Sequence, residues 1–143
     1  MVEDIELLGK YLSRIHRYSR ALMDKRLKHL GIGGGQFGFM MTLYRKDGVS
    51  QTELSDQLKL DKTTITRSIR PLLDNGYIVR ERDPEDRREY RILLTQKGQS
   101  IRDELIEIRR ELESELLEGF SQDERDDLMG LMRRMTENAT RIK

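Results

Sequence analysis

Apolar residues recur at steps of three and four over residues 5–30. Leu8, Tyr11, Leu12, Ile15, Tyr18, Leu22 and Leu27 fall on one stripe, which predicts an amphipathic helix. The glycines of GIGGG, Gly31 to Gly35, end it, since three consecutive glycines cannot continue a helix cheaply. A second helix is predicted over 36–45, with Phe37, Met40, Met41 and Tyr44 on one side, closed by Asp47-Gly48. Ser50 and Glu53 have the spacing of a capping box and open a short third helix over 51–58, with Leu54 and Leu58 inward. Asp61 is the expected N-cap of a fourth helix ending near Asp74, whose buried face is Ile65, Ile69, Leu72 and Leu73. Asn75-Gly76 stops it, Gly76 being free to turn left-handed. Pro71 lies inside this helix and leaves the course of its last turn open, because proline removes a backbone donor.

The period then changes. Residues 77–82 (YIVRER) and 90–94 (YRILL) read as two strands of a hairpin, with a charged turn over 83–88 containing Pro84. Thr95 caps a long helix to about residue 120, carrying Ile101, Leu105, Ile108, Leu112 and Leu116. Ser121 and Glu124 form a second capping box before a last helix with Leu128, Leu131, Met132, Met135, Ala139 and Ile142. The fold class expected is mainly α with a small β-hairpin wing (α+β). Two short helices, a tight turn and a hairpin describe a winged helix-turn-helix.

Charge sharpens this outline. The net charge is only +1, but it is unevenly spread. Basic residues dominate from Lys10 to Lys28 and acids dominate from Asp103 to Asp127, which suggests one surface facing a polyanion and one turned away. The fourth helix exposes Lys62, Thr63, Thr64, Thr66, Arg67 and Arg70 opposite Ile65 and Ile69. A short polar and basic helix face suits the major groove of DNA, where Arg pairs with guanine and Thr reaches bases or a thymine methyl. Ser50, Gln51 and Thr52 open the preceding helix and are placed to meet a phosphate. In the hairpin turn, Arg87, Arg88 and Arg91 could reach a phosphate or a narrow minor groove. Glu85, Asp86 and Glu89 make sense there if they pin the arginines or shape the tip. The blander alternative is a solvated, ion-paired surface.

Residues 50–98, and within them Asp86-Arg87-Arg88, Leu94-Thr95 and Lys97-Gly98, closely resemble the MarR family of regulators. The flanking helices fit as well. The resemblance implies a homodimer whose N- and C-terminal helices (1–34 and 96–143) intertwine as a dimerisation region. It implies a DNA-binding lobe over 36–95 and two wings on a pseudo-palindromic operator. Arg88 would be the wing-tip arginine in the minor groove, and Asp86 the residue that structures it. Apolar stripes on the first, fifth and sixth helices argue independently for a second copy, being more than a small lobe can cover.

The resemblance also implies a repressor released by a small aromatic or phenolic anion, salicylate-like in chemistry. The candidate residues are Arg14, His16, Arg17 and Tyr18 on the first helix and Phe37, Met40 and Tyr44 on the second; a core role for the apolar ones is the simpler alternative. The chain has no cysteine and two histidines, against the family's thiol- and zinc-sensing branches. No cofactor is expected, and no enzyme: there is no nucleophile-base setting, metal cluster or phosphate loop, GIGGG lacking the following Gly-Lys-Ser/Thr. That run reads instead as a hinge or a tight helix connection. The expected setting is cytoplasmic, without a signal peptide or membrane span. The competing class is a winged-helix docking module that reads no DNA.

Overall fold

A computed structural model describes residues 2–142, with side chains from residue 7 onward. Met1 and Lys143, the outer bounds of the flanking segments expected above, lie outside the described residues. The chain forms two compact units, residues 1–110 and 111–143.

In the first unit, α1 (Val2–Leu27) runs into a 3-10 turn over Lys28–Leu30, and α2 (Gly34–Arg45) follows. The glycine run is less of an interruption than its composition predicts. Gly34 and Gly35 are the first residues of α2, and Asp24 of α1 accepts the Gly34 N–H at 2.7 Å. A Cβ on Gly34 would stand 2.8 Å from Arg20 Cδ, and one on Gly35 would strike the Arg20 guanidinium. The glycines let α1 and α2 approach closely. The hinge reading is therefore corrected in favour of the tight helix connection.

Next come β1 (Val49–Ser50), α3 (Gln51–Leu58) and α4 (Lys62–Asp74). Ser50 caps α3 by accepting the Glu53 N–H, but the Glu53 carboxylate pairs with Lys46 at 3.2 Å, so only half of the predicted box forms. Asp61 caps α4 through the Thr64 N–H at 2.7 Å. Helix α4 runs through Pro71 to Asp74. Its end closes on Gly76 (φ +73°), with Tyr77 N–H donating to Leu72 O and Gly76 N–H to Leu73 O. That pair of bonds satisfies the last carbonyls in the Schellman arrangement.

The wing is β2 (Ile78–Arg82) and β3 (Tyr90–Leu94), and β1 joins the far side of β3 to make a three-stranded antiparallel sheet ordered β1-β3-β2. A two-residue strand carries no periodicity, so the sequence reading found only the hairpin. The core gathers Met40 and Leu43 of α2, Leu54 of α3, Ile65, Ile69 and Leu72 of α4, and Val49, Ile78 and Ile92 of the sheet. Thr95 caps α5 (Gln96–Ser100), a break at Ile101 follows, and α6 (Arg102–Leu116) begins, where one continuous helix to residue 120 was expected. Gly98 is pressed against Tyr77 O, with no room for a Cβ.

The second unit holds the end of α6 and α7 (Gln122–Arg141). Gly119 turns the chain at φ +84°. Ser121 and Glu124 make the complete capping box that their spacing predicts.

Each unit leaves apolar side chains in solvent. In the first they are Leu7, Leu8, Tyr11, Leu12, Ile15 and Tyr18 of α1; in the second, Leu116, Phe120, Met129, Leu131, Met132 and Ile142. Among the described residues no helix is long and apolar enough to cross a membrane.

Candidate nucleic-acid interface

The site is built on α4. Its apolar residues Ile65, Ile69 and Leu72 are at most 1% exposed, so the opposite face must look outward. Lys62, Thr63, Thr66, Arg67 and Arg70 line an open hollow of about 600 Å³ on that face. Lys62 and Arg67 make no ion pair among the described residues, whereas Arg70 is balanced by Asp74 at 3.6 Å. Thr66 Oγ1 donates to Lys62 O at 2.9 Å and accepts from Gln51 Nε2 at 3.3 Å, tying the starts of α3 and α4 together. Gln51 Oε1 is buried without a donor. Thr64 is half-buried on the flank. The Thr64 N–H and hydroxyl hold the Asp61 carboxyl below the usual carboxylate range. A charged cap at this helix start also favours the N-terminal end of the dipole.

The turn between α3 and α4 places Lys59 in the left-handed region at φ 56°. Ser55 donates its hydroxyl to Leu60 O, and Leu60 N–H donates to Ser55 O at 3.1 Å. These bonds keep the two helices in a fixed relation.

The wing tip is shaped by its acids. Asp83 accepts the Glu85 N–H at 2.9 Å. Asp86 accepts the Arg88 N–H at 3.1 Å and its Oδ1 lies 3.5 Å from Arg88 Nε. The Arg88 side chain nevertheless remains 93% exposed. Glu89 accepts the Thr52 hydroxyl, so the tip is fastened to the first turn of α3. Arg87 is exposed. Arg91 is not at the tip: it lies on β3 opposite Glu81, is half-buried, and donates Nε–H to Gly48 O at 2.9 Å. Its structural task is to seal the turn before β1. Ser50 and Thr52 likewise spend their hydroxyls within the chain, on Glu53 N–H and on Glu89.

Sequence reading missed Arg80, Arg82 and Tyr90. Both guanidinium groups lie over the Tyr90 ring, at 4.2 Å and 5.2 Å from its centroid. The signal was present once the hairpin register is known, since Arg82 pairs directly with Tyr90.

The residues expected to line an effector pocket do not come together in one chain. Arg14, His16, Arg17 and Tyr18 are exposed on α1, Tyr18 at 68%. Met40 is fully buried and serves the core. Tyr44 donates its hydroxyl to Gly98 O at 2.6 Å, and burial pushes its pKa up to about 12. Phe37 is half-buried under the Arg109 guanidinium, 5.7 Å from its centroid.

The MarR family's sequence profile matches residues 35–90, from α2 to the start of β3. The crystal structure of a MarR transcriptional regulator from Methanosarcina mazei Go1 is 40% identical, covers 96% of this chain and 99% of its own, and superposes with a TM-score of 0.90. The chain belongs to the MarR family. Among curated proteins, this MarR-family chain is 27% identical over 131 residues to the uncharacterized HTH-type transcriptional regulator YybA of Bacillus subtilis (strain 168), covering 91% of this chain and 87% of that one. It also shares its fold with a mutant MarR from E. coli complexed with operator DNA, at 24% identity, TM-score 0.83, and coverage of 94% and 97%. The MarR winged helix-turn-helix is thus the architecture of the site just described.

Proposed function

We propose that this protein is a homodimeric repressor that binds a pseudo-palindromic duplex operator. The observation that carries the reading is the outer face of α4. Lys62, Thr63, Thr66 and Arg67 are presented together on a helix whose other side is core. A helix of this kind enters the major groove, where Arg67 suits a guanine and the threonines suit thymine methyls or base edges. Arg88, steered by Asp86 and free at its end, suits the minor groove, whose negative potential favours arginine. The first turn of α3, with Ser50, Gln51 and Thr52, sits beside the same surface and serves backbone phosphates. The E. coli relative of this fold was solved with operator DNA, which is consistent with the assignment of roles.

Two copies follow from the uncovered apolar row of α1, and two-fold symmetry in the protein asks for two-fold symmetry in the site. A second copy laid on α1 would also close the exposed Arg14, His16, Arg17 and Tyr18 into a recess. There a small aromatic carboxylate would find a charged donor and a flat wall, and its entry would release the operator.

Selection of bound sequences from a random duplex pool tests the reading. A two-fold symmetric consensus is the expected result. Failure to enrich any sequence, with binding that does not respond to salt, would sink it and favour a protein-docking role.

A further inference from the structure

The inner face of the wing carries two arginines that no carboxylate neutralises. Alternate residues of a strand share a face, and directly paired residues of an antiparallel hairpin share it too. By the register Ile78↔Leu94, Arg80↔Ile92 and Arg82↔Tyr90, one face holds Ile78 and Ile92 at its base and Arg80, Arg82 and Tyr90 farther out. Ile78 and Ile92 are buried in the core, so this is the side of the wing that packs on the lobe, continued beyond it into solvent.

The acids near the tip are otherwise engaged: Asp83 with Glu85 N–H, Asp86 with Arg88, Glu89 with Thr52. Glu81 lies on the opposite face of β2, across from Arg91. Neither Arg80 nor Arg82 has an ion pair among the described residues; each rests on the Tyr90 ring instead. Arg82 also donates one N–H to Arg87 O, which leaves its other donors free. The distinction matters chemically. A carboxylate partner would compete with a phosphate for the guanidinium edge. An aromatic partner holds the guanidinium by its flat face and leaves the in-plane N–H donors and the charge available. The side chains are also held in place before any partner arrives, so less freedom is lost on contact.

We propose that Arg80 and Arg82, laid on Tyr90, form a sugar–phosphate contact of the wing separate from its tip, one that holds the duplex backbone and reads no base. This rests on the reading that the chain binds duplex DNA. The contact makes the wing a two-point device, with Arg88 at the tip and the strand arginines gripping the backbone.

The test is affinity over a salt series, for a duplex of random sequence and for the duplex selected from the pool. Arg80→Gln and Arg82→Gln should each lower the slope of log affinity against log salt by roughly 0.9, equally for both duplexes, as expected for one lost phosphate contact. Arg80→Lys and Arg82→Lys keep the charge and should keep the slope. Tyr90→Phe should bind as the parent does, and Tyr90→Leu should bind both duplexes more weakly. Thermal unfolding of each variant checks that the fold is kept; should a glutamine variant not fold, the other glutamine variant and the lysine variants decide. Unchanged slopes in the glutamine variants, with Arg88→Ala still weakening the selected duplex, overturn this proposal and leave the DNA reading intact. A change in the preferred base on Arg80→Gln or Arg82→Gln also overturns it, since a backbone contact cannot alter base choice. If the parent protein binds neither duplex in a salt-dependent way, the DNA reading itself fails.

Discussion

Helices α1 and α4 belong to the same unit and each turns a row of side chains to solvent, but the rows are opposite in character. Helix α4 buries Ile65, Ile69 and Leu72 and exposes Lys62, Thr63, Thr66, Arg67 and Arg70. Helix α1 buries Met23 and Leu27 near its end, and over its earlier turns exposes Leu8, Tyr11, Leu12, Ile15 and Tyr18. The first pattern is complete within one chain. The second is not, because an apolar row of this length in water is the mark of an interaction surface. One amphipathic helix thus reports on its own fold, and the other on a partner. A cationic row selects a polyanion and an apolar row selects another apolar row, so the two surfaces need not compete for the same partner.

The largest expected effect breaks the apolar side of this contrast. Ile15→Asp puts an unpaired carboxylate into the seam, at a cost of several kcal/mol when buried without partners. It should convert a dimer to a monomer in sedimentation equilibrium. A variant that stays dimeric would place the seam elsewhere. Next, the two sides of α4 should separate cleanly under denaturant. Ile69→Ala should cost about 2–5 kcal/mol of stability, whereas Arg67→Ala should change it by no more than about 0.5 kcal/mol. Equal losses would contradict the division of that helix into core and reading faces. Arg88→Ala should then weaken binding to the selected duplex by about 1–3 kcal/mol without shifting the unfolding midpoint. Unaltered affinity at fixed salt would remove the tip from recognition.

The smallest effect concerns the cap of α4. The Asp61 carboxyl is held below its ordinary value by Thr64. A depressed folded value stabilises above the unfolded value of about 3.9, and that contribution fades as pH falls through the lower folded value. Asp61→Asn keeps a capping oxygen and loses the titration, so its stability should fall less on acidification. Superimposable pH profiles of the two proteins would rule out this origin of acid sensitivity.

Most helices could be read from the sequence because their caps and stripes are local. Asp61, Thr95 and Ser121 stand one residue before the helices they were expected to start. The wing was legible through alternation and its charged turn. What escaped depends on contacts between distant residues. The helical start at Gly34 needs Asp24 of the preceding helix. The strand Val49–Ser50 exists only because β3 is there to pair with it. Arg91 looked like a tip residue until its register beside Ser50 and its bond to Gly48 O removed it. For the site, composition marked the polar face of α4 and the arginines of the turn. The stack of Arg80 and Arg82 on Tyr90 was hidden in a pattern that reads only as strand. The effector residues were chosen by type, and type does not tell that Met40 belongs to the core.

The packing of Arg20 over Gly34 and Gly35 has a mechanical meaning. A side chain lodged in a slot of bare backbone, with Asp24 fastened to the adjacent amide, resists sliding and twisting of one rod against the other. Such a joint behaves as a splined coupling rather than a swivel. Any torque that a neighbouring subunit applies to α1 reaches α2 with little slack. Residue 35 is then the place where a single added methyl would loosen the transmission.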